Sequence, residues 1–125
     1  MKARIENILE NINHACANSN RNFSDVKLMA VSKFHPIEEI LQAYNCGLKL
    51  FGENRVQEAC SKFPEIFEKT QDAELHLIGS LQRNKVKNIV PLCSCIQSLD
   101  RIELAQEIQK QCEKINKKIE KGEKL

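Results

Sequence analysis

Hydrophobic and polar positions follow two different periods along the chain. In the first part, apolar residues recur every three or four positions, which predicts an amphipathic helix over about residues 3–17. The apolar positions of this helix are Ile5, Ile8, Leu9, Ile12 and Cys16. A polar stretch, 18–25, comes next, and a short apolar run over residues 26–32 then predicts a buried β-strand.

Strand and helix patterns then alternate. Further strands are predicted at 48–53, 75–79 and 93–98, and helical spacing follows the four strands at 36–47, 55–70, 81–90 and from 100 onward. Pro36 suits the start of its helix and Gly47 the end, whereas Pro64 predicts a kink or break. Asp100 predicts the N-cap of the last helix and Gly122 its end. Four strand–helix units after one leading helix indicate an α/β fold with a parallel sheet.

Two parallel architectures fit this alternation, an open doubly wound sheet and a (β/α)₈ TIM barrel. No GxGxxG motif follows any predicted strand, so the main support for a dinucleotide-binding sheet is missing. A complete barrel needs about 250 residues and eight units. The chain has 125 residues and four units. We therefore expect residues 1–125 to be the N-terminal half of a single barrel domain.

Composition excludes several classes of function. A net charge of +2 gives no strong field, so neither a nucleic-acid nor a membrane partner is expected. The first 20 residues carry charges throughout and do not form a secretory signal, which predicts a cytoplasmic protein. The six cysteines are then best interpreted as reduced thiols. Without CxxC or a His/Cys cluster of zinc spacing, no metal site is predicted.

Candidate chemistry lies where the predicted strands end, because parallel α/β folds gather their sites at that edge. Lys33 ends the first strand, where partial desolvation would favour the neutral amine that forms Schiff bases. Alternatively, Lys33 reaches solvent or pairs with Glu53. Asn54 either orients a ligand or caps the following helix. His76 is interpreted as a core residue in preference to a ligand or base.

Four segments taken together resemble the pyridoxal phosphate homeostasis proteins, also called the YggS/PROSC family. They occur in the family's order and at its spacing: LMAVSKFHPIEEI at 28–40, FGENRVQEACSK at 51–62, HLIGSLQRNKVK at 76–87 and SLDRIELAQEI at 98–108. The resemblance implies a barrel of the alanine racemase N-terminal type, of which this chain holds the leading helix and the first four βα units. It implies that Lys33 forms the internal aldimine with pyridoxal 5′-phosphate, that Asn54 lines the pocket, and that Ile78 and Gly79 lie near the pyridine ring.

The resemblance implies a carrier or regulator of the cofactor without established turnover, so no catalytic residue is assigned. Rival interpretations are a racemase or decarboxylase that uses the same cofactor, a cofactor-free Schiff-base aldolase, and a truncated fragment with no ligand. The resemblance also implies that the phosphate of the cofactor is held by later strands, beyond the four units of this chain.

We also expect a truncated half-barrel to leave one sheet face uncovered, and the chain then to self-associate or to pair with its missing half. The residues predicted for that face are Leu28, Ala30, Leu50 or Phe51, and Leu77.

Overall fold

A computed structural model gives the structure of residues 1–116 and 119–123, with the backbone alone for 120–123. In this part of the chain, five strands and four further helices alternate after the leading helix, with short 3₁₀ turns at Phe23–Asp25 and Arg83–Lys85. The elements are α1 Lys2–Asn18, β1 Met29–Val31, α2 Ile37–Asn45, β2 Leu50–Glu53, α3 Val56–Lys69, β3 Glu74–Leu77, α4 Val86–Ile89, β4 Cys95–Leu99, α5 Ile102–Lys114 and β5 Glu120–Glu123. The predicted alternation of strand and helix is confirmed.

The strands form one parallel sheet in the order β1-β2-β3-β4-β5. In the register of the first three strands, Ala30 lies beside Phe51 and Phe51 beside Leu75. A doubly wound sheet reverses its strand order at a switch point. Across these five strands no reversal occurs, so each helix returns the chain to the next position along the sheet.

The two faces of the sheet differ in what covers them. On the helix-covered face, Phe51, Leu75, Leu77 and Ile96 are almost completely buried against the helices. Residues one position away point to the opposite face, because side chains alternate along a strand. There Val31 and Gln97 are exposed and Leu50, His76 and Leu99 are half-buried.

The prediction for the uncovered face was therefore mostly wrong. Leu50 lies on that face, but Ala30, Phe51 and Leu77 share the helix-covered face, and Leu28, which precedes β1, packs against the core. A shift of one position in where a strand begins moves every side chain to the other face.

Three predicted helix boundaries also differ from the structure. Helix α3 continues through Pro64, because proline removes only one backbone donor while Phe63 and Ile66 hold the helix on the core. Helix α5 takes Arg101, and not Asp100, as its N-cap residue. It ends before Asn116, whose φ of 53° is the left-handed conformation that terminates helices. Gly122 instead lies in β5. Residues 117 and 118, within the predicted helix, are outside the described part of the chain.

Candidate functional site

Lys33 lies in a tight turn directly after β1. The turn comprises residues 32–35 and is closed by the His35 N–H, which donates to the Ser32 carbonyl at 3.1 Å. The Ser32 N–H donates to the Gly52 carbonyl at 3.0 Å, which attaches the turn to the end of β2. Phe34, at the third position, has a φ of 65°, the sign that a type II turn requires there. Lys33 is thus presented at the edge of the sheet where the strands end, and its side chain is exposed.

Two side chains of helix α3, Lys62 and Glu58, bind the backbone of this turn. The Lys62 ammonium donates to the carbonyls of Ser32 and His35 at 2.9 and 3.2 Å. The Phe34 N–H donates to the Glu58 carboxylate at 2.5 Å, and Lys62 pairs with the same Glu58 oxygen at 2.9 Å. Backbone groups on both sides of Lys33 are therefore fixed to one helix.

Glu53, the last residue of β2, connects this network to the sheet. Its side chain is completely buried, and one carboxylate oxygen pairs with Lys62 at 2.8 Å and accepts a hydrogen bond from the Ser32 hydroxyl. The other oxygen, Oε1, has no hydrogen-bond partner among the described residues. Since Lys62 takes this carboxylate, the suggested pairing of Lys33 with Glu53 is wrong. The expected partial desolvation of Lys33 is also wrong, because its side chain faces solvent.

Burial and hydrogen bonding act on the pKa of Glu58 in opposite directions. Partial burial raises the pKa of the Glu58 carboxyl, but hydrogen bonds from Lys62 and from the Phe34 N–H, with the positive charges of Lys62 and Arg55, outweigh it. The net result is a pKa below the ordinary value for glutamate. Glu58 is therefore held as a carboxylate, the form that accepts both hydrogen bonds.

Asn54, Ile78 and Gly79 meet where β2 and β3 end. A Cβ atom on Gly79 would lie only 2.2 Å from the Asn54 carbonyl oxygen, so only glycine permits this approach. The Ile78 N–H donates to the Glu53 carbonyl at 3.0 Å. Three of the four predicted cofactor-binding residues are thus adjacent, and Lys33 follows the neighbouring strand at the same edge. Helix α3 has Arg55 as its N-cap residue without a side-chain cap, so Asn54 does not cap it.

His76 lies on the sheet face opposite the helices. It is half-buried and its Nδ1 is 2.9 Å from the side-chain nitrogen of Gln97 on β4. The prediction of a core histidine is wrong, because His76 falls one position from the buried Leu75 and Leu77.

Sequence reasoning missed Lys62, the most connected side chain of the site. A signal for it existed: Lys62 falls in line with Ala59 and Ile66 on the apolar stripe of helix α3, where a charged residue requires a partner. The Glu58–Lys62 spacing of four residues supplied one such partner.

Two cavities lie close to this edge or to the open face. One, of about 210 Å³, is lined by Ser32 and His35 together with apolar residues of α1 and α2. The other, of about 290 Å³, includes His76 and Glu74. Neither of these two cavities is lined by Lys33 or Asn54.

Within residues 1–116 and 119–123, no helix combines the length and apolar character needed to cross a membrane. In the same part of the chain, no group of three or more His, Cys, Asp or Glu side chains is arranged to hold a metal ion.

Comparison with known sequences supports the family resemblance. No protein-family profile matches the chain. A pyridoxal phosphate homeostasis protein of Aquifex aeolicus is 47% identical over 113 residues, which cover 90% of this chain and 49% of the relative. The protein of the same name from Pasteurella multocida is 40% identical over 111 residues, covering 89% of this chain and 48% of the relative.

Solved structures agree with the sequence comparison. PipY of Synechococcus elongatus, in a structure with PLP bound, is 34% identical with a TM-score of 0.75, over 88% of this chain and 51% of PipY. A protein of unknown function from Bifidobacterium adolescentis is 28% identical with a TM-score of 0.85, over 96% of this chain and 52% of that protein. The chain thus spans about half the length of its relatives. The predicted resemblance to the N-terminal half of pyridoxal phosphate homeostasis proteins is confirmed.

Proposed function

We propose that this chain, the counterpart of the N-terminal half of pyridoxal phosphate homeostasis proteins, serves to hold pyridoxal 5′-phosphate through a Schiff base on Lys33. The observation that carries the proposal is the state of the Lys33 amine. It is exposed on a turn whose backbone is fixed on both sides, and it has no side-chain hydrogen bond or ion pair among the described residues. An amine in that position is accessible to an aldehyde in solution.

The residues at this edge fit the aldehyde end of the cofactor. When bound, the cofactor would supply an aldehyde carbon, and Lys33 would hold it covalently through its nitrogen, with the aldehyde oxygen and two amine hydrogens leaving as water. Lys62 is unsuited to this reaction, because its ammonium is already shared among two carboxylates and two carbonyls. We assign Asn54, Ile78 and Gly79 to the adjoining wall of the pocket, since they meet at the ends of the next two strands.

We also propose the fold of the complete domain and its cellular location. Consecutive parallel strands with helices between them are what a section of a (β/α)₈ barrel contains, here of the alanine racemase N-terminal type. The open face with Val31 and Gln97 would then line the barrel interior. We place the protein in the cytoplasm, where its six free thiols would stay reduced. Its role is that of a cofactor carrier and not of a turnover enzyme.

Borohydride trapping tests the proposal directly. The chain is incubated with pyridoxal 5′-phosphate, reduced with borohydride and digested, and the labelled lysines are quantified by mass spectrometry. We expect the label on Lys33, together with a near-visible absorption band that reduction removes. Lys33→Ala should abolish the band while far-UV circular dichroism stays unchanged, because an exposed lysine supports little packing.

A matched control is Lys49→Ala, which removes another exposed lysine near the sheet, one that is paired with Asp72. It should leave both the band and the Lys33 label in place. Label concentrated on Lys49 or Lys85 in the wild-type chain would contradict the assignment to Lys33.

A further inference from the structure

The turn that presents Lys33 contains a strained residue. Phe34 has a φ of 65°, a conformation that costs a bulky non-glycine residue free energy. Its side chain is 77% exposed, so packing of the ring does not compensate for the strain. Among the residues that the structure describes, the other positive-φ residues besides glycine are Asn20 and Asn116, of a type that tolerates this conformation. The Lys33 turn must therefore be held by contacts other than those of Phe34's own side chain.

Those contacts come from one helix. Glu58 accepts the Phe34 N–H, and Lys62 donates to the carbonyls of Ser32 and His35, the two residues that begin and end the turn. Lys62 is itself anchored by the buried carboxylate of Glu53 at 2.8 Å. A strained backbone persists only where its surroundings over-determine it, and such strain concentrates at functional sites.

We infer that Lys62, acting with Glu58, is a positioning residue for cofactor binding: it fixes the turn that aims the Lys33 amine. The inference rests on the proposed function of Lys33, since a held turn matters only if its lysine reacts. The Lys62 ammonium is taken up by two carboxylates and two carbonyls, so its role is to hold the turn and not to bind the cofactor. It reduces the number of directions that the amine samples, and misplacement of a reacting group by about 1 Å can cost about a hundredfold in rate.

The first test needs no cofactor. Amide hydrogen exchange is measured at Phe34 and His35 in the wild-type chain, in Lys62→Met and in Lys69→Met. Lys69 forms the same type of pair, with Glu65, on the exposed part of the same helix. We expect protection at both amides to fall about tenfold in Lys62→Met, roughly the value of one hydrogen bond to a charged group, and to be unchanged in Lys69→Met. Equal protection in all three proteins would overturn the inference.

The second test measures how selectively the Lys33 amine is labelled. Each protein is treated with pyridoxal 5′-phosphate and borohydride, and the ratio of label on Lys33 to label on Lys49 is determined. We expect this ratio to fall about tenfold or more in Lys62→Met and to hold in Lys69→Met. Ile66→Ala, which leaves a cavity one turn further along helix α3, should lower stability without lowering the ratio. A drop of the same size in Ile66→Ala would show a merely structural role for Lys62.

A second variant covers the case in which Lys62→Met does not fold. Glu58→Ala removes the acceptor for the Phe34 N–H from a side chain that is 21% exposed, so the fold should tolerate it. Exchange and labelling should change in the same direction as in Lys62→Met, and no change would count against the inference. If the wild-type chain itself takes no label on Lys33, the proposed function fails, whereas the exchange result still decides whether Lys62 holds the turn.

Discussion

Helix α3 carries two Glu–Lys pairs of the same spacing, and they differ in how far their side chains are buried. Glu58–Lys62 and Glu65–Lys69 have N···O distances of 2.9 and 3.2 Å. The lysine and glutamate side chains are 10% and 21% exposed in the first pair, but 56% and 48% exposed in the second. The inner lysine also meets a second carboxylate and two carbonyls. A spacing of four residues therefore predicts that an ion pair forms, whereas burial decides how much the pair contributes to stability.

The largest expected effect is a difference in stability between the variants of Lys62 and Lys69. Lys62→Met should lower the free energy of unfolding by about 3–5 kcal/mol, because it leaves the buried carboxylate of Glu53 without its positively charged partner. Lys69→Met should change it by less than about 0.5 kcal/mol, since water already screens that pair. Urea denaturation of both variants provides the measurement. Equal losses would mean that burial does not distinguish the two pairs.

Much of the fold was predictable from the sequence. Local patterns fix where strands and helices alternate, and Gly47, with a φ of 102°, ends helix α2 as predicted. The positions of Asn54 and Gly79 beside each other follow from parallel strands that end at one edge.

The electrostatic part of the site was not predictable in the same way. Besides Glu58, the partners of Lys62 lie at positions 32, 35 and 53. No local rule selects Lys62 over Lys33 as the partner of Glu53. Which lysine is buried depends on how α3 packs against the turn after β1, whose Ser32 and His35 carbonyls lie 30 and 27 residues from Lys62 in the sequence. The face of Phe51 and Leu77 was missed for a related reason, because apolar runs without alternation do not indicate which side chains face the helices.

A smaller effect tests whether the turn bound by Glu58 and Lys62 is strained. Phe34→Gly should raise the free energy of unfolding by about 0.5–1 kcal/mol, because glycine relieves the left-handed conformation and loses part of that gain as backbone entropy. Asn20→Gly, at a φ of 56° away from the turn, should give almost no gain, since asparagine tolerates this region. Thermal or urea unfolding compares the two. A loss of stability in Phe34→Gly would show that the aromatic side chain contributes more than its conformation costs.

The smallest expected effect concerns the acid limb of stability. The folded state holds the pKa of Glu58 below its ordinary value of 4.5, so this carboxylate contributes stability that is fully present above that value. The contribution is lost as the pH falls through the lower, folded pKa. Glu58→Gln should therefore reduce the free energy of unfolding at pH 6, and the difference from wild type should shrink as the pH falls below the ordinary glutamate value of 4.5.

The same series in the Lys62→Met background tests the cause of this pH dependence. Lys62 supplies the largest of the pKa-lowering contacts, so without it the pH-dependent part of the difference should become smaller. The hydrogen bond from the Phe34 N–H would remain and would preserve some of it. Urea titrations at each pH give the required free energies. A pH-dependent difference that is unchanged by Lys62→Met would assign the lowered pKa to the turn backbone and not to the buried lysine.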